Sequence, residues 1–407
     1  MNAESHMQKF PADIDQQVTL ANWRQSPFNQ WAFHHVREIV PSADIANNPD
    51  KVWTLEENPL NLGGVSIDCE DEGLMSLSGF CHYSQTDALL VLHRDKIVYE
   101  HYDKGMSRYS PHILMSVSKS LLGIIAGILE DKRILDPDEQ VTTYVPELGG
   151  SAFNGATVRQ LLDMRTGVEF DEDYLATSGP ILDYRKSTNW NPLEPGESAT
   201  DLRSFFNQLR TKKHEHGLQF SYVSPNTDLL GWVIERACNQ RYANVVQEHL
   251  WQPMGAEYSS YITVDRLGAP RTAGGICTTL RDLARVGRLI VNAGTGYNEE
   301  QVIPEKWITD TLTNGDSTAW NNGNFASDFP NLPMSYRSKW YVLHPRPEDE
   351  ASWLIALGIH GQNIYIDIDN EFVMIKFASH ALPLEPSSGI HGIVAAKAVR
   401  DYLVNHF

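Results

Sequence analysis

The sequence has few cysteines. Cys69, Cys81, Cys238 and Cys277 are the only four among 407 residues. They form no CxxC pair and have no histidines at zinc-site spacing, so neither a disulfide framework nor a structural metal site can be read from them. Reduced, mostly buried thiols are expected instead. Long apolar runs are also missing. The best, Leu121 to Leu129, is interrupted by Gly123 and Gly127, whereas a membrane helix needs about 20 apolar residues. The first residues, MNAESHMQKFPADIDQQ, show neither a basic nor an apolar leader region, and the expectation is a cytoplasmic protein. Positive charge is scarce too: 33 basic against 52 acidic residues give a formal net charge of −19. Such a surplus repels phosphate backbones and argues against a nucleic-acid partner. The GxSxG elbow of α/β-hydrolases does not occur, and His34-His35 and His214-Glu215-His216 lack zinc-protease spacing. No metal or cofactor is therefore expected.

What is present has enzyme-like organisation. Residues 1–65, rich in Asn, Pro and Asp towards their end, read as an extension packed on the body. Ala88–His93 and Ile97–Tyr102 are β-rich runs split by Arg94-Asp95-Lys96, a hairpin pattern. From Ser116 to Asp131 the chain is apolar almost all round, as in a buried helix. The stretch from about 150 to 290 reads as helices with loops. Ser224 is expected as N-cap with Pro225 at the first helical position. Thr279 with Asp282 resembles a capping box. Trp353–Ile359, Ile364–Asp369 and Phe372–Phe377 read as antiparallel strands before a last helix over about 389–406. The fold class is thus α/β. Segments 66–115 and 290–407 form one domain, and 116–289 a mostly helical one, with the active site at their interface.

The chemistry centres on Ser116-Val117-Ser118-Lys119. On a helix, positions i and i+3 share a face, so Lys119 can reach the Ser116 hydroxyl. A serine needs a neighbouring base, and a lysine desolvated in an apolar helix can be that base. Ser116 on the first helical turn also meets the positive helix end, which suits a developing oxyanion. The competing interpretation is a polar cap followed by a surface lysine; against it, no other lysine of this chain has a serine three residues before it. Tyr222, just before Ser224-Pro225, is the candidate proton relay. Two triplets are rejected: Tyr242-Ala243-Asn244 lies in a helical pattern, and Arg165-Thr166-Gly167 is read as the end of a helix with glycine as its cap.

With these residues in place, the chain resembles the class C β-lactamase and penicillin-recognising superfamily of SxxK serine hydrolases, and within it the 6-aminohexanoate-dimer hydrolases and related carboxylesterases. The resemblance runs nearly end to end, through LMSVSKSLLG (114–123), SYVSPNTDLLGWVIER (221–236), GGICTTLRDLARVGR (274–288) and GIHGQNIYIDI (358–368). It implies a β-lactamase-like fold, with an antiparallel sheet flanked by helices plus a helical domain. It makes Ser116 the nucleophile, Lys119 the base and Tyr222 the relay, with an oxyanion hole from the N–H groups of Ser116 and Ile359. The family's third motif falls on Ala356-Leu357-Gly358, where its basic and hydroxyl residues are absent. That argues against a β-lactamase or DD-peptidase, the first alternative. Retention of all three catalytic residues argues against the second, a non-catalytic relative that only binds. The resemblance also places Tyr174 and Trp190 on a loop that closes over substrate. It puts Arg185 where amine-binding members have an acidic residue, and Ala273 where an Asn is expected. The expected substrate is a small carboxylic ester or linear amide, and the assembly reading extends to a homodimer.

Overall fold

The computed structural model describes residues 6–407. Its centre is an eight-stranded sheet assembled from distant parts of the chain. Met334–Arg337, Trp340–Leu343, Trp353–Gly358, Gln362–Asp367 and Phe372–Ala378 run side by side, followed by Thr86–His93, Lys96–Tyr102 and Glu56–Glu57. All neighbours are antiparallel except the short parallel pair of Glu56–Glu57 with Lys96–Tyr102. The seam between the early and late segments is Thr86–His93 against Phe372–Ala378, with Leu90 opposite Ile375.

Side-chain alternation in these strands explains the layers. Leu90 and Leu92, with Ile364, Ile366, Val373 and Ile375, belong to one buried cluster; Leu89 and Val91, with Tyr365, Phe372 and Met374, belong to another. Both faces are apolar, so helices must cover both. One face receives α1 (Val117–Asp131) and α3 (Leu280–Val291), while α4 (Ser388–His406) packs on the other. Between α1 and α3 in sequence comes α2 (Ser224–Cys238), which touches α1. Every residue of α1 from Val117 to Leu129 is buried. Gly123 lets it lie against the Met334–Leu343 hairpin: a Cβ there would sit 2.0 Å from the Ser338 carbonyl oxygen.

The segment 116–289, read as mostly helical, contributes two strands to a second sheet. Ser42–Ile45, Ser260–Thr263, Ile276–Thr278 and His112–Ile113 form four strands in that order. These strands have three or four residues, or two in the last case, too few for a period-2 pattern to stand out. Two local expectations are also corrected. Ser224 is the first helical residue rather than the cap, and Val223 is the N-cap. The Ser224 hydroxyl donates instead to Glu172. The helix before Arg165-Thr166-Gly167 stops at Leu162, and Met164 takes a positive φ of 53°. Gly167 is therefore not its cap; its N–H donates to His216 Nδ1. At α3, Thr279 caps as expected, accepting from the Asp282 N–H at 3.1 Å.

Candidate active site

The chain enters α1 through a sharp turn. Ile113 and Leu114 are held by backbone bonds to Phe33 and Ile276, and Met115 adopts a φ of 46°. A left-handed backbone at a non-glycine residue costs free energy, and here the two preceding residues are fixed by bonds that sustain it. The turn leaves Ser116 half-exposed at the helix start while its followers are buried. One helical turn on, Lys119 is 1% exposed. Its Nζ donates to Ser116 Oγ at 2.8 Å and to the Ala273 carbonyl at 2.7 Å. Burial lowers the Lys119 pKa to about 7, overcoming the opposing pull of Glu172 and Asp228. A substantial share of this amine is therefore neutral at pH 7, as a general base must be.

Tyr222 closes the group. Its backbone N–H donates to Asn324 Oδ1 at 3.0 Å, and its ring stacks on Phe325 with centroids 4.7 Å apart. Lys119 Nζ lies 5.0 Å from the ring centroid, and the hydroxyl interacts with Ser116. Burial, then the Glu172 charge, push the Tyr222 pKa well up. The phenol thus stays protonated and can donate. The end of Trp353–Gly358 faces the serine: a Cβ on Gly358 would lie 2.8 Å from Leu114 O and 3.1 Å from Ser116 N. Glycine is what lets this strand end approach the serine N–H, bringing Ile359 to the same cavity.

That cavity has a volume of about 300 Å³ and is lined by Ser116, Tyr174, Tyr222, Phe325, Tyr341 and Ile359, among others. The remaining expected residues are distributed differently. Tyr174 lines it, with its hydroxyl donating to Glu172 at 2.7 Å. Trp190 is 3% exposed and is not among the residues lining the cavity, its Nε1 donating to Thr263 Oγ1 at 3.1 Å. Ala273 is 2% exposed and takes part through its carbonyl, not its side chain. Arg185 lines a neighbouring cavity, where its guanidinium donates to the Tyr174 carbonyl at 2.9 Å.

Two carboxylates overlooked in the sequence organise the site. Asp228 on α2 accepts the Ala273 N–H at 2.7 Å and bonds Arg271 and Tyr184, so it fixes the carbonyl that Lys119 uses. Glu172 accepts from the Ser224 N–H at 2.5 Å and from Tyr174, tying the loop to α2. Only the pattern Asn226-Thr227-Asp228, seen as part of a longer block, pointed at the first; nothing in the sequence marked the second.

A family model described as beta-lactamase matches residues 82–395, more than half of the chain. The chain belongs to the beta-lactamase family. It is also 34% identical over 383 residues, 93% of each chain, to the 6-aminohexanoate-dimer hydrolase of Paenarthrobacter ureafaciens. Among solved structures, a Bacillus anthracis protein provisionally named a 6-aminohexanoate-dimer hydrolase superposes with a TM-score of 0.85 at 26% identity, covering 95% of this chain and 97% of that one. EstCE1, a hydrolase with promiscuous acyltransferase activity, shares the fold with a TM-score of 0.61 at 16% identity, over 80% of this chain and 96% of that one. This beta-lactamase-family protein is a serine hydrolase.

Proposed function

We propose that this enzyme cleaves small carboxylic esters, and linear amides, through an acyl-enzyme on Ser116. The observation that carries the reading is the contact of Lys119 Nζ with Ser116 Oγ at 2.8 Å, made by an amine whose pKa burial lowers to about 7. In the first half-reaction neutral Lys119 takes the Ser116 proton as Oγ bonds to the substrate carbonyl carbon. The carbonyl oxygen, now anionic, is held by the N–H groups of Ser116 and Ile359. As the tetrahedral adduct collapses, Tyr222 gives its proton to the leaving oxygen or nitrogen and is reprotonated from Lys119. Water then attacks the ester on Ser116 by the reverse relay and frees the acid and the serine.

A cavity of about 300 Å³ walled by aromatic rings suits short acyl groups. No basic residue stands on the strand end at Ala356-Leu357-Gly358, which supports ester and linear amide substrates over β-lactams. Four free cysteines, three of them buried, agree with a cytoplasmic setting. The test is a fluorophosphonate probe with intact mass, alongside turnover of p-nitrophenyl butyrate. Wild type should gain one adduct and hydrolyse the ester, and Ser116→Ala should do neither while keeping its circular dichroism. Turnover by Ser116→Ala above a few per cent of wild type would remove Ser116 from the mechanism.

A further inference from the structure

Next to the cavity that holds Ser116 lies a second one of about 500 Å³, which shares Tyr174, Ile359 and Pro383 with it. Its wall joins Arg24, from the N-terminal segment, to Arg185, on the helix Pro180–Ser187. The chain carries a net charge of −19, and its buried arginines show what is usual here: Arg271, Arg281, Arg285 and Arg400 are each paired with carboxylates. Among the described residues neither Arg24 nor Arg185 forms an ion pair. Arg24 lies against the rings of Trp23 and Trp190, 5.6 and 5.7 Å from their centroids, and bonds Asn191. Its Nε is buried with no partner. Arg185 donates to the Tyr174 carbonyl, which leaves most of its fork unused.

Arg24 and Arg185 line one cavity, and their like charges repel each other. Burial, then the charges of Arg185 and Arg271, push Arg24 below the ordinary arginine pKa. Arg185 is likewise lowered by burial, against some support from Tyr174, Glu172 and Asp173. Arg271 is neutralised by Asp228, and Glu172 is committed to Tyr174 and Ser224. The unmet demand is for an anion, and the planar forks fit a carboxylate. We propose that this second cavity is a subsite for a carboxylate on the substrate, so that the enzyme prefers esters or amides bearing an anionic group next to the scissile bond's pocket. This rests on the hydrolase reading given above. Tyr174, which lines both cavities and whose carbonyl holds Arg185, links the subsite to the reacting centre.

Three esters test it: p-nitrophenyl butyrate, the mono-p-nitrophenyl ester of glutaric acid, and the butyrate ester of a carboxylated nitrophenol. The second carries the carboxylate on the acyl side and the third on the leaving group, so the preferred one reports which half enters the subsite. Wild type should favour one anionic ester over the neutral one in kcat/KM by about tenfold or more, the scale of a hydrogen bond to a charged group. Arg24→Gln and Arg185→Gln should each collapse that ratio, chiefly through KM. Glutarate alone should quench the fluorescence of Trp23 and Trp190 saturably in wild type and not in the double variant. A wild type that treats all three esters alike, or variants that lose equally on all, would overturn the subsite. If no ester is hydrolysed at all, the hydrolase reading falls, and the glutarate titration still decides the subsite.

Discussion

At the scale of single residues, the arrangement divides two protonation states between two side chains. Lys119, lowered to about 7 by burial, supplies a neutral amine, and Tyr222, raised by burial, keeps its proton. A base works only deprotonated, so kcat/KM for p-nitrophenyl butyrate should rise with pH through an apparent pKa near 7 and fall away below it. Lys119→Arg, which remains charged at any usable pH, should lose the activity. Retention of near-normal turnover by Lys119→Arg would assign the base elsewhere. Tyr222→Phe should lower kcat by ~10²-fold, the usual scale for one acid–base group. Glu172 raises the Lys119 pKa through its charge. Glu172→Gln should therefore shift the acid limb of the profile to lower pH, whereas a purely structural role would lower the rate without moving the limb. The serine–lysine pair was legible in the sequence because three residues along a helix fixes which face both occupy. Glu172 and Asp228 were not, because a carboxylate's partner is set by what the fold brings to it.

At the scale of elements, the site is the meeting of one helix start, one strand end and one helix entry, and close approach does the positioning. Gly358 has room only for hydrogen on its Cα beside Leu114 and Ser116. Gly358→Ala should spread the strand end from α1, widen the oxyanion hole and lower kcat by ~10²-fold, the loss typical of removing one oxyanion donor, with KM changed less. An unaltered kcat would show that Ile359 does not serve the oxyanion. On α2, Asp228 is fully buried against Arg271 and anchors Ala273. Asp228→Ala leaves an uncompensated buried guanidinium and should cost about 3–5 kcal/mol in urea unfolding. The strands flanking the site were visible as apolar runs. The short strands of the second sheet were not, since their stability comes from pairing with partners far away in sequence rather than from their own pattern.

At the scale of the whole molecule, folding has left ionisable groups in an apolar interior, and this sets its response to acid. His360 is 2% exposed and His380 3%. Burial lowers the first to about 4 and pushes the second well down. The unfolded chain, with ordinary histidines near 6.5, binds protons that the native state refuses. Stability contributed by these neutral histidines is complete above about pH 6.5 and declines as pH falls towards 4. Asp87 acts lower. Burial raises its pKa, but the hydrogen bond from His112 and the Lys104 charge outweigh that and hold it near 2. Its contribution is present above the unfolded value near 4 and disappears as pH falls towards 2. Urea midpoints should thus drop between pH 7 and 5 and again below 4. A flat profile from pH 7 to 5 would show that the histidines are hydrated in solution.

The local and periodic features of this protein follow from its sequence. The sequence marked the apolar strand runs of the main sheet, the buried helix that opens at Ser116, and the i, i+3 relation to Lys119, because all of these follow from backbone geometry and side-chain period within one element. It also determined the charge balance and the lack of a basic residue at Ala356-Leu357-Gly358. What each distant side chain meets is set by long-range packing. That packing put Ala273 at the lysine through its carbonyl, buried Trp190 away from the cavity lining, and brought Arg24 of the N-terminal segment and Arg185 to one cavity. Such meetings depend on long-range packing and on which charges burial leaves unpaired, and neither is written in any short stretch of chain.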